Sequence, residues 1–223
     1  MIKGFVFDLD GVITDTAVLH YKSWKEVVKK LGIDYTEADN EKLRGIPRLE
    51  TLKEIIKLKK PELKLSTEEL LNICEIKNNL YKELLNTEIN KDSVLPNIKN
   101  FLLKAKSHNI KLSIASSSFN APNILKKLEL FELFDYIVYP GDIKNGKPAP
   151  DIFIVGANGI GLKTSECIGF EDAIAGIQGI KDAQMLAIAI TNGSNEDFSK
   201  ADLILNSTSD LDFDFIINKF NKA

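Results

Sequence analysis

The chain is predicted to be an α/β protein: an open, mostly parallel sheet interrupted after its first strand by a helical insertion. Three observations predict this class. Short apolar runs alternate with longer amphipathic segments, the rhythm of strand–helix–strand units. The runs are continuous and rich in β-branched residues, as strands buried on both faces are. From about residue 17 to 86 that rhythm stops, and only helical apolar spacing is found.

Taken in order, "GFVFDL" is the first strand. Four helical stretches follow: "VLHYKSWKEVVKKLG", "EADNEKLRG", "RLETLKEIIKLKK" and "STEELLNICEIKNNLYKELL". Gly32 and Gly45 are placed as helix stops, and Ser66 followed by Glu69 as a capping box. The chain returns to the sheet near "DSVLPNIKNFL". Strands "IKLSIAS", "YIVYP", "CIGFED", "LAIAIT" and "LILN" then alternate with helices over 97–107, 121–128, 151–159, 173–183 and 210–219. Pro96 and Pro150 stand at helix starts, where a missing N–H is harmless. The expected division is residues 1–15 and 88–223 for the sheet domain, and 16–87 for the helical one.

The bulk numbers narrow the function. With 223 residues, 44% hydrophobic and 27% charged, the chain is globular. A net charge of -3 speaks against a nucleic-acid surface, and the Lys-rich "KLKK" reads as a solvated helix face. Cys74 and Cys167 lie in no CxxC pattern and beside no His cluster, which speaks against zinc. No apolar run approaches the ~20 residues that span a bilayer. "MIKGFVF" runs straight into the fold, so a soluble cytoplasmic monomer acting on a small molecule is expected.

The chemistry is concentrated at strand ends, where open α/β sheets bind ligands. Asp8 and Asp10 end the first strand before Gly11. A carboxylate there can attack a phosphoryl group, and a second, two residues on, can move the proton. An anion attacking a dianion needs countercharge, which oxygen-bound magnesium supplies. Matching polar groups stand at other strand ends. Ser116 in "ASSS" can donate to a phosphate oxygen, Lys147 in "GKPAPDIF" can neutralise charge, and Glu171 and Asp172 in "GFEDAIAGI" can serve a metal or, for Asp172, cap a helix.

These pieces in this order resemble the haloacid dehalogenase superfamily of phosphoryl-transfer enzymes. The resemblance implies a Rossmann-like core with an inserted helical cap. It also implies Mg2+ held by Asp8, the Asp10 carbonyl and Asp172, with Glu171 as ligand or water partner. Within the superfamily, "FDLDGVITDTAVLHYKSWKEV", "LRGIPRLETL", "ASSSFNAP" and "GKPAPDIFIVGANGIG" are most similar to the β-phosphoglucomutase branch. That likeness implies Asp8 as nucleophile and Asp10 as general acid/base, with Thr16 and His20 positioning Asp10. It places Trp24, Arg44 and Gly45 on the substrate side of the cap, although Trp24 equally suits the cap core. It makes Arg48 the holder of the phosphate that is not transferred, and Ser118 and Asn120 contacts to the sugar or distal phosphate. The reaction implied is exchange between β-D-glucose 1-phosphate and glucose 6-phosphate through an aspartyl-phosphate and a bisphosphate. One departure stands out: where that branch commonly has a lysine between the serine and the asparagine, this chain has Phe119. A phosphatase using the same nucleophile is therefore the alternative reading.

Overall fold

The computed structural model describes residues 1–43 and 46–221. In chain order the elements are β1 (Gly4–Phe7), α1 (Ala17–Lys29), α2 (Glu37–Glu41), α3 (Arg48–Lys59), α4 (Thr67–Glu88), α5 (Ile98–Ser107), β2 (Lys111–Ile114), α6 (Ala121–Lys127), β3 (Tyr136–Ile137), α7 (Asp151–Gly159), β4 (Cys167–Glu171), α8 (Ile174–Asp182), β5 (Leu186–Ile190), β6 (Leu203–Leu205) and α9 (Phe213–Asn221). They form two compact units, Met1–Asp15 with Asn90–Ala223, and Thr16–Ile89.

The first unit is built on a six-stranded sheet of order β3-β2-β1-β4-β5-β6, every neighbouring pair parallel. The four residues of β1 are all buried because each face is covered. Alternation sends Phe5 and Phe7 to one face. There Phe5 stacks on Phe101 of α5 at 5.6 Å, and Phe7 stacks on Phe170 at 4.5 Å. Val6 faces the other way, into a cluster with Ile152 and Phe153 of α7 and Ile177 and Ile180 of α8. Each such phenylalanine contributes ~2 kcal/mol by leaving water. The fold thus needs an apolar residue at every position of β1, and polar residues can begin only where the strand ends.

They begin at Asp8. Phe7 lies beside Ile114 on one side and Phe170 on the other. The ladder continues with Asp8 N–H donating to the Phe170 carbonyl at 2.9 Å. The strand order reverses at β1, so this end is the topological switch point of the sheet.

Helix starts differ from expectation at two places. Asp172 is not a cap: α8 begins at Ile174 with Ala173 as its N-cap and no side-chain cap bond. Glu171 holds the turn that leads into the helix, its Oε1 accepting the amides of Asp172 and Ala173, both at 3.2 Å. The last helix starts at Phe213 rather than 210, because Ser207 and Asp210 close a separate 3-10 turn.

The second unit packs α1, α3 and α4 around Trp24, Val28, Leu52, Ile55 and Cys74. Gly32 ends the first helical stretch at φ +73, a conformation that suits glycine. The Gly45 stop lies outside the described residues. Ser66 Oγ accepts from Glu69 N–H at 3.2 Å while a Glu69 carboxylate oxygen accepts from Ser66 N–H at 2.7 Å, a complete capping box. This box starts α4, which continues through Glu88, so the unit ends at Ile89 rather than 87.

Candidate active site

Three adjacent elements bring the acidic groups together. The ends of β1 and β4 place Asp8 beside Glu171, and the turn into α8 adds Asp172. One oxygen from each of these carboxylates lies within 4.8 Å of the other two. The loop that precedes α7 delivers Lys147. Its Nζ donates to Asp8 Oδ1 at 2.5 Å and to Glu171 Oε2 at 2.7 Å, with only 4% of its side chain exposed. The ammonium also sits 5.1 Å from the centroid of the Phe153 ring.

Burial and charge oppose each other in this cluster. Burial works against the Lys147 ammonium, yet Asp8 and Glu171 outweigh it and raise the lysine above its ordinary value. Burial pushes the Glu171 carboxyl up, Lys147 opposes this, and the neighbouring Asp8 adds to it. The two directions agree physically. One ammonium shared by two carboxylates stays protonated, and a carboxylate oxygen of Asp172 lies within 4.8 Å of theirs. Three converging carboxylate oxygens are the hard donors that magnesium takes, so the residues present fit it.

The donor set also sorts the ligands. Both oxygens of Glu171 are committed, one to Lys147 and the other to two backbone amides. Asp8 keeps Oδ2 without a protein partner among the described residues. The Asp10 side chain is not a member of the carboxylate cluster. Its backbone is fixed by a tight turn, with Gly11 N–H donating to the Thr14 carbonyl at 2.7 Å. Gly11 is at φ +81, and a Cβ there would fall 1.9 Å from Asp172 Oδ2. Only glycine meets both demands.

On the other side of β1, Ala115 N–H donates to the Phe7 carbonyl at 2.7 Å, which puts Ser116 at the strand end next to Asp8. Ser116 is 3% exposed, and its Oγ accepts from Ser118 N–H at 3.1 Å. Its proton is therefore left for another acceptor. Ser118 Oγ in turn accepts from Asn120 N–H at 3.2 Å, so the loop is held by its own side chains. Phe119 projects from that loop, 53% exposed, edge-on to Tyr139 at 5.5 Å.

The residues expected in the helical unit gather around a lysine that sequence reasoning missed. Lys77, 1% exposed, holds its Nζ 2.8 Å from His20 Nδ1. An ammonium only donates, so Nδ1 accepts and the imidazole proton sits on Nε2. The same Nζ lies 4.6 Å from the Tyr81 ring and 5.2 Å from the Trp24 ring. Thr16 is fully buried, 2.8 Å from Tyr81 Oη. Trp24 is 2% exposed and belongs to the core of its unit, the second of its two expected places, with Lys77 Nζ over its ring. A signal for Lys77 was present, since it falls on the stripe Cys74, Lys77, Tyr81, Leu85 that α4 buries. Arg48 opens α3, and burial lowers its guanidinium below the ordinary value. It has no carboxylate partner among the described residues. Arg44 and Gly45 lie outside them.

Known proteins resemble this chain in sequence and in fold. The model of the haloacid dehalogenase-like hydrolase family matches residues 5–190. β-Phosphoglucomutase of Bacillus subtilis is 38% identical over 215 residues, covering 96% of this chain and 94% of that protein. The crystal structure of β-phosphoglucomutase from Clostridium difficile superposes with a TM-score of 0.93 at 43% identity, covering 100% of this chain and 98% of that one. A phosphorylated carbohydrates phosphatase of Thermotoga maritima is 30% identical, covering 82% of each chain. No described helix is long and apolar enough to cross a membrane.

Proposed function

We propose, from the premise that the chain belongs to the haloacid dehalogenase-like hydrolase family, that it is a magnesium-dependent phosphosugar mutase acting between β-D-glucose 1-phosphate and glucose 6-phosphate. The observation that carries this reading is the buried Asp8, paired with Lys147 and clustered with Glu171 and Asp172 at the switch point of the sheet.

An Asp8 oxygen attacks phosphorus. The bond from phosphorus to the sugar oxygen breaks, and Asp10 protonates the leaving oxygen. In the opposite half-reaction Asp10 takes the proton of a sugar hydroxyl as that oxygen attacks the aspartyl-phosphate. Transfer first to one carbon and then from the other passes through the bisphosphate. Ser116 donates to the moving phosphoryl oxygens, and Lys147 neutralises the charge gathered on Asp8. Magnesium, held by Asp8, Asp172 and the Asp10 carbonyl with Glu171 as water partner, would supply the countercharge that lets an anion approach a dianion. Arg48, half-desolvated and without a carboxylate partner among the described residues, suits the phosphate that is not transferred.

The test is a primed assay with β-D-glucose 1-phosphate, a trace of bisphosphate and magnesium, read as glucose 6-phosphate. Asp8→Asn is expected to lose on the order of 10⁴-fold or more in kcat while keeping its circular dichroism. Release of inorganic phosphate without glucose 6-phosphate sinks the mutase reading. It would instead support a sugar-phosphate phosphatase, which two observations favour: the likeness to a carbohydrate phosphatase, and an exposed Phe119–Tyr139 pair where a cation was expected.

A further inference from the structure

Asn192 follows β5, two strands away from the nucleophile in the sheet order, yet its Nδ2 donates to the Gly11 carbonyl at 2.8 Å. No motif in the chain assigns it a part. Its turn is built into the sheet end: Thr191 N–H donates to the Leu205 carbonyl at 2.9 Å, and Ser194 N–H to the Thr191 carbonyl at 2.8 Å. Asn192 itself adopts φ +49, a left-handed conformation that asparagine tolerates better than most residues.

The bond meets Gly11 at a decisive place. The peptide before Gly11 carries the Asp10 carbonyl, and its N–H is tied to Thr14. The peptide after Gly11 is tied to Asn192. Between them the Gly11 Cα lies so close to the Asp172 carboxylate that no side chain fits. Two hydrogen bonds, one on each peptide, therefore hold the backbone rotation of the turn that carries the Asp10 carbonyl. Without the Asn192 bond the peptide after Gly11 loses that anchor, at a residue whose backbone has more freedom to rotate than any other.

We propose that Asn192 is a positioning residue for the magnesium site, acting through the Gly11 peptide on the Asp10 carbonyl. The inference rests on the proposed function, which makes that carbonyl a ligand. Outer partners of this kind are commonly worth 10- to 100-fold in metal affinity.

Two variants isolate the amide from the backbone. Asn192→Gly keeps the left-handed turn and deletes the donor. Asn192→Asp keeps the size and the turn and places an acceptor against the Gly11 carbonyl. Magnesium is titrated into the full chain by calorimetry, and kcat is measured against magnesium concentration. Both variants are expected to bind magnesium at least tenfold more weakly than the parent chain, with kcat recovering at saturating metal. Affinity within twofold of the parent, or a lowered melting temperature with unchanged affinity, overturns the proposal and leaves Asn192 a structural tether. A parent chain that binds no magnesium overturns the metal reading itself, and this inference with it, so the two failures are distinguishable.

Discussion

Lys147 joins the stability of the sheet end to the proposed chemistry. It is the ammonium shared by Asp8 and Glu171, and its side chain is almost fully enclosed. Removing one partner from a buried ionic group costs more than the pair itself contributes, because the remaining charges stay buried. In Lys147→Met two carboxylates would face each other with no cation between them. The variant is expected to lose on the order of 10²–10³-fold in kcat, the range for deleting one preorganised charge at a reacting group. Lys147→Arg is not expected to rescue it, since a planar fork does not fit where a compact ammonium bridges two oxygens. Single-turnover rates at saturating substrate check this; an Lys147→Met rate within threefold of the parent contradicts the assignment.

At the scale of elements, the short helix α2 depends on its first turn. Thr36 and Asp39 form a capping box, and Asp39 also meets Lys59 at 2.6 Å. Burial acts to raise the Asp39 carboxyl, but hydrogen bonds from Lys59 and Thr36 prevail and lower it to about 2. A depressed carboxyl stabilises above its unfolded value and loses that contribution as pH falls through the folded one. Asp39→Asn is therefore expected to cost ~1 kcal/mol at pH 7, with the difference from the parent chain vanishing between about pH 4 and 2. Urea unfolding of both proteins across that range measures it. Elements of this kind are legible in sequence because they are local: the Ser66–Glu69 box, the Gly32 stop and the apolar run of β1 each declare themselves within a few residues. The strand-end groups Asp8, Ser116 and Glu171 were legible for a related reason, whereas Lys147 was read from its loop motif. A polar or charged side chain closing a fully buried strand is costly unless it meets a partner or a ligand, so its presence there points to one. What stayed hidden is set by distance along the chain. Lys77 meets a histidine 57 residues away, and Asn192 meets a glycine 181 residues away. Trp24 stayed open between two places because apolar helical spacing does not say whether a large ring faces a ligand or its own core.

At the scale of the molecule, the helical unit is an insertion whose two ends leave and re-enter the sheet unit side by side. Thr14 pairs antiparallel with Val94, Thr14 Oγ1 donates to the Ser93 carbonyl at 2.7 Å, and Leu95 N–H donates to the Ile13 carbonyl at 2.9 Å. Paired residues lie ~5 Å apart, so a short Gly-Ser linker of about four residues can replace 16–89 without stretching the joins. Each unit has its own apolar core, the sheet unit around β1 and the insertion around Trp24 and Ile55. Excision therefore removes one core and leaves the other whole. It also removes Arg48, His20 and Lys77 while keeping Asp8, Asp10, Ser116, Lys147 and Asp172. The shortened chain is expected to unfold cooperatively, to bind magnesium, and to hydrolyse a small acyl phosphate such as acetyl phosphate. Glucose 6-phosphate formation is expected to disappear, with inorganic phosphate as the product, because the groups that would select a sugar hydroxyl over water are gone. Calorimetric unfolding and the two product assays decide it. A folded core that still makes glucose 6-phosphate would show that acceptor choice resides in the sheet unit, in the loop of Ser118, Phe119 and Asn120.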